Sequence, residues 1–102
     1  MFKVVFYKTI WDGQTPETSK TMAMLQREET LPFPPSLEVQ MFWSIESPQA
    51  PTSVRWDVAD QRFACAMRDE FPHEIGVDEY DFEWLLEHAE NSGWKLVSKR
   101  RI

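Results

Sequence analysis

Cys65, His73 and His88 could together supply a thiol nucleophile and its base, and each must be weighed against its own neighbourhood. Cys65 alternates with Phe63 and Met67, which puts the thiol on an apolar strand face. A thiol there is an inert buried side chain, because a reactive thiolate needs an accessible, electropositive setting. His73 is followed by Glu74, an acid and base side by side in a loop sequence. Glu83, Glu87 and His88 lie within about one helical turn, a spacing that holds a divalent ion in a pocket and merely wets a surface elsewhere. The three glycines, Gly13, Gly76 and Gly93, are too dispersed for a phosphate-cradling loop. No catalytic residue, metal site or cofactor site is assigned from these patterns, and an enzyme using His73, Glu74 or His88 is the third of three functional readings.

Charge gives the first reading. Residues 69 to 90 hold nine of the 17 carboxylates and no lysine or arginine, whereas Lys95, Lys99, Arg100 and Arg101 crowd the last eight residues. Residues 1 to 94 therefore carry seven basic and 17 acidic groups, a formal charge of −10. Such a run either keeps a surface solvated, with the basic tail folded back on it, or forms a docking face for a basic protein. On the second view Glu74, Asp78, Glu79, Asp81, Glu83, Glu87 and Glu90 bind the partner, as in inhibitors, immunity proteins and antitoxins. The net charge of −6 argues against direct nucleic-acid binding.

The tryptophans give the second reading. Trp43, Trp56, Trp84 and Trp94 either pack a core or line a small-molecule pocket between sheet and helix, with Met22, Met24, Met41 and Met67 as adaptable fillers.

Positioning these residues requires a sheet and a helix. Alternation predicts strands over residues 2 to 7, over Leu37 to Ile45, and over a hairpin pairing Val54, Trp56 and Val58 with Phe63, Cys65 and Met67. Residues 20 to 31 contain good helix formers, yet lack a helical repeat and run into Leu31-Pro32-Phe33-Pro34-Pro35, so an extended segment is expected. Phe71 to Gly76 is expected as a loop. Asp78 should then cap a helix whose Phe82, Leu85, Leu86 and Ala89 form the apolar stripe and whose terminator is Gly93. A short strand from Trp94 closes the chain.

The 102 residues thus predict a single α+β domain, residues 1 to 102: a strongly curved, mainly antiparallel sheet of five to six strands with one C-terminal helix packed on one face. One lone cysteine, no signal-like N-terminus and no apolar run approaching about 20 residues indicate a soluble cytoplasmic protein that does not enter a membrane. One helix is too narrow to cover so wide a sheet, and Val5, Tyr7 and Phe42 add apolar side chains to its other face. A homodimer through the sheet is therefore expected. The segment Leu31 to Val39, Leu-Pro-Phe-Pro-Pro-Ser-Leu-Glu-Val, resembles segments of small uncharacterised accessory proteins of bacterial mobile elements, of the integron gene-cassette type. The resemblance implies a bacterial accessory protein and no particular activity.

Overall fold

The computed structural model describes residues 1–43 and 47–102. Its seven strands and single helix run in the order β1 (Phe2–Trp11), β2 (Thr21–Leu31), β3 (Ser53–Asp57), β4 (Arg62–Ala66), β5 (His73–Ile75), β6 (Asp78–Tyr80), α1 (Phe82–Asn91) and β7 (Lys95–Arg101). The architecture is α+β, with five strands in one sheet in the order β3-β4-β1-β2-β7 and β5-β6 forming a separate two-stranded hairpin. Among the described strand pairings only β1–β4 is parallel, and a single parallel bridge from Ile10 to Glu70 continues it. Residues 20 to 31 are extended, as the missing helical repeat predicts, and β2 pairs with β1 along ten consecutive residues. The hairpin of β3 and β4 also forms.

Side chains alternate between the two faces of the sheet, and the contiguous core cluster takes one alternation, with Val5 buried separately on the other. Val4, Phe6 and Ile10 of β1, Ala23, Leu25 and Leu31 of β2, and Cys65 of β4 meet Leu85, Leu86 and Ala89 of α1 together with Met67 and Trp94. No helix among the described residues is long and apolar enough to cross a membrane.

Four expectations need correction. The sheet is open rather than strongly curved, with β3 and β7 left at opposite edges. Curling is unnecessary because the irregular segment between β2 and β3 joins α1 in covering the core face: Met41, Trp43 and the buried Pro35 and Pro51 belong to it. Second, Leu37 to Trp43 is not a strand. Met41 makes a single antiparallel bridge to Gln49, and Leu37 and Val39 are exposed. The returning arm carries Pro48 and Pro51, which have no N–H to give a ladder, so alternation in the outgoing arm finds no partner. Ile45 lies outside the described residues.

Third, the expected loop from Phe71 to Gly76 contains β5, joined to β6 by Gly76 and Val77. Gly76 has φ +64, a conformation that a two-residue hairpin connection often requires. Fourth, β6 uses Asp78, so the helix cap moves to Asp81. Its carboxylate accepts from the Trp84 N–H at 2.8 Å, and the apolar stripe begins at the next residue. Gly93 follows the helix with φ +104, as expected of a terminator, and a side chain there would strike Arg27.

Candidate functional site

The β5-β6 hairpin and α1 bring most of the predicted acidic residues to one exposed region. Residues directly opposite across the hairpin are His73 with Tyr80, Glu74 with Glu79, and Ile75 with Asp78. Alternation therefore separates the hairpin into a ring pair and a carboxylate pair. Like charges directly opposite are unfavourable, and the Glu74–Glu79 pair has no basic neighbour within ion-pair distance among the described residues.

The ring pair continues onto the helix. His73 lies 5.0 Å from Tyr80, Tyr80 meets the edge of Trp84 at 4.5 Å, and Trp84 stacks on His88 at 4.6 Å, one turn further on. Trp84 is 40% exposed, so this ladder lies on the surface. A notch of about 150 Å³ opens beside its hairpin end, bounded by His73, Glu74, Glu79, Tyr80 and Asp81, with Gln14 and Pro72 closing it. Glu74 and Glu79, with Asp81 close by, make a setting for a cationic side chain, which gains from charge there, while the Tyr80 ring lies on the other side of the hairpin.

The remaining acidic residues follow the helix. Glu83, Glu87 and Glu90 line a shallow hollow with Leu86, Leu96 and Lys99, and Glu83 pairs with Lys99 at 3.6 Å. Part of the basic tail thus folds back onto the acidic stripe, but it reaches Glu83 and not the hairpin. Asp69 and Glu70, the first two acids of the run, are engaged elsewhere. Asp69 accepts from the Trp11 indole at 3.0 Å, and Glu70 pairs with buried Lys8 at 3.3 Å.

The candidate acid–base residues do not converge. His73 Nδ1 is 3.0 Å from the Phe71 carbonyl, and Glu74, the next residue along an extended strand, points to the opposite side. His88 lies flat on Trp84 at the far end of the ladder. Among the described residues no three of His, Cys, Asp and Glu are grouped closely enough to hold a metal ion. Cys65 is fully buried, and loss of water around it pushes the thiol up to about 11.

The four tryptophans of the expected pocket separate in the same way. Trp43 and Trp94 meet edge to face at 5.6 Å, and Trp43 also packs on Phe6. The space beside them is occupied by the chain's own cations, since the Arg27 guanidinium sits 4.5 Å from the Trp43 ring centre and Lys8 Nζ 4.4 Å from that of Trp94. Arg27 is fixed there by donating to Glu29 at 3.1 Å and to the Ser92 carbonyl at 2.9 Å. Trp56 lies at the sheet edge against Phe63, 53% exposed, and Trp84 belongs to the surface ladder. A depression of about 480 Å³ lies on the face of the sheet away from the helix, over Val5 and Ala64.

Sequence reasoning missed Tyr80 as part of the acidic site, and Arg55 and Tyr7 as a pair on the far face. A usable signal for Tyr80 was its spacing four residues before Trp84, with His88 four beyond. Arg55 and Tyr7 are 48 residues apart, and only the sheet order brings them together. Compared with protein-family models, with curated proteins and with solved structures, the chain matches none.

Proposed function

We propose that this protein is a non-catalytic binding protein that engages a basic segment of a partner protein through the β5-β6 hairpin and α1. The observation that carries the reading is the notch framed by Glu74, Glu79, Asp81 and Tyr80, at one end of an exposed aromatic ladder. A lysine or arginine seated there would separate Glu74 from Glu79 and turn their repulsion into two attractions. Trp84 and Tyr80 supply the aromatic anchor that protein interfaces favour, while Glu87 and Glu90 extend the field along the helix and speed encounter with a positive surface.

The test is binding of lysine- and arginine-rich peptides, followed by fluorescence anisotropy at low and high salt. Reversal of Glu74 and Glu79 to lysine should abolish measurable binding, and reversal of Glu83 and Glu87 on the helix should weaken it less. Affinity should fall as salt rises. Unchanged affinity in both variants would leave the acidic region as a solvated surface.

A further inference from the structure

Among the described residues no helix lies over the face of the sheet opposite α1, and its own side chains cover part of it, leaving Val5 only 5% exposed. Its central strand carries buried Val5 and half-buried Tyr7, flanked in register by Ala64 and Ala66 on β4 and by Gln26 and Glu28 on β2. The two alanines matter most. Arg55 on β3 is separated from β1 by the whole of β4, yet its guanidinium donates to the Tyr7 hydroxyl. It can do so because Ala64 and Ala66 leave the space above β4 empty. The result is the depression of about 480 Å³, floored by Val5 and Ala64 and walled by Tyr7, Arg55, Met24 and Val97. From the β3 row to the β2 row is three strand spacings, about 14 Å, which is enough for one or two fused rings lying on the floor.

Arg62 and Arg55 both border this trough, but they differ in whether a carboxylate compensates them. Arg62 is held by Glu28 at 3.1 Å and Asp60 at 3.7 Å, so carboxylates of the chain offset its charge. Arg55 has no carboxylate within ion-pair distance among the described residues, and its one side-chain partner is a neutral phenol. An oriented, uncompensated guanidinium over an apolar floor matches one ligand chemistry, a carboxylate on a flat apolar body.

We propose that the trough binds a small aryl carboxylate of one or two rings, with Arg55 taking the carboxylate and Val5, Ala64 and Met24 receiving the ring. This site is separate from the acidic hairpin and does not depend on it. A second copy of the chain, the occupant expected from the sequence, would cover the same residues. The charges on the face oppose that arrangement: Arg55, Arg62, Lys95 and Arg100 outnumber Glu28 and Asp57, so two such faces would meet with like charge.

The experiment titrates ¹⁵N-labelled protein with 2-naphthoate and, separately, with its neutral counterpart 2-naphthalenemethanol. Naphthoate should shift the amides of Val5, Tyr7, Ala64 and Val97 and bind at least fivefold more tightly than the alcohol. Arg55→Gln should remove that preference while leaving the weak alcohol binding in place. Ala64→Leu should block both by filling the floor, and if it does not fold, the Arg55→Gln comparison still decides. No shift on these residues at millimolar ligand would overturn the proposal, as would equal binding of acid and alcohol. So would a dimer mass by sedimentation that reverts to 12.1 kDa on Tyr7→Arg, because the face would then belong to a second copy.

Discussion

The two faces of the five-stranded sheet are made by alternate residues of the same strands, yet one buries cations that the chain compensates, whereas the other exposes Arg55 without a carboxylate beside the compensated Arg62. On the helix side, Lys8 is only 4% exposed, and its ammonium is met by Glu70 at 3.3 Å and by the Trp94 ring. Arg27 on the same side is packed on Trp43 and bonded to Glu29 and Ser92. The open side leaves Arg55 with a phenol for a partner. Where the chain buries a cation it supplies the compensation itself, as desolvation demands. Where compensation is missing, the group faces solvent and is available to a ligand.

The largest expected effect tests whether the faces really differ in burial. Phe6 is fully buried and Tyr7, its neighbour in sequence, belongs to the open side. Phe6→Ala should cost about 3–5 kcal/mol in urea unfolding, and Tyr7→Ala about 1 kcal/mol. Similar costs would break the comparison, because they would mean that both faces are packed.

Next comes the buried charge. Glu70→Ala strips Lys8 of its carboxylate and should cost about 2 kcal/mol, less than for a fully buried pair because Glu70 is partly exposed. Adding Lys8→Met to that variant should recover most of the loss, which a thermodynamic cycle of the three variants would measure.

A smaller effect concerns the acidic hairpin. Glu79→Lys should raise the thermal midpoint by relieving its repulsion with Glu74, while weakening the binding of basic peptides. A gain in stability bought by a loss of binding is the mark of a functional charge cluster; a loss of both would place Glu79 in a structural role.

The smallest effect lies at Cys65. Its folded thiol is pushed up to about 11 from an ordinary 9.0, so the folded chain holds this proton more tightly than the unfolded chain. Its contribution to stability is complete below about pH 9 and is lost as pH rises towards 11. The difference in stability between the native chain and Cys65→Ala should therefore narrow over that window, and Cys65 should react with thiol reagents only after unfolding.

Much of this was legible in the residues. The alternation of Phe63, Cys65 and Met67 gave a strand, and the stripe of Phe82, Leu85, Leu86 and Ala89 gave the helix, because both patterns depend on local burial alone. The same alternation from Leu37 to Trp43 misled, since a strand needs a partner and the prolines that deny it one sit several residues away. The helix start was misplaced because Asp78 and Asp81 are equally good caps in isolation, and Gly76 assigns the first of them to a hairpin. The acidic run located the candidate binding region, but not the pairing of Glu74 with Glu79 or the notch they frame, which come from the hairpin register. Alternation places Val5 and Tyr7 on the face away from the helix, but the expectation that Val5 is unshielded fails, since it is only 5% exposed, and the cation of that face is hidden by the distance in sequence between Arg55 and β1.

We propose that the hairpin notch, and not acidity in general, recognises a basic side chain. Titration of an arginine-rich peptide into ¹⁵N-labelled protein tests it most directly. Amide shifts should concentrate over residues 73 to 81 and at Trp84, be present at low salt and vanish in the Glu74→Lys, Glu79→Lys variant. Shifts scattered evenly over the acidic surface, or a pattern that the double reversal leaves intact, would contradict it.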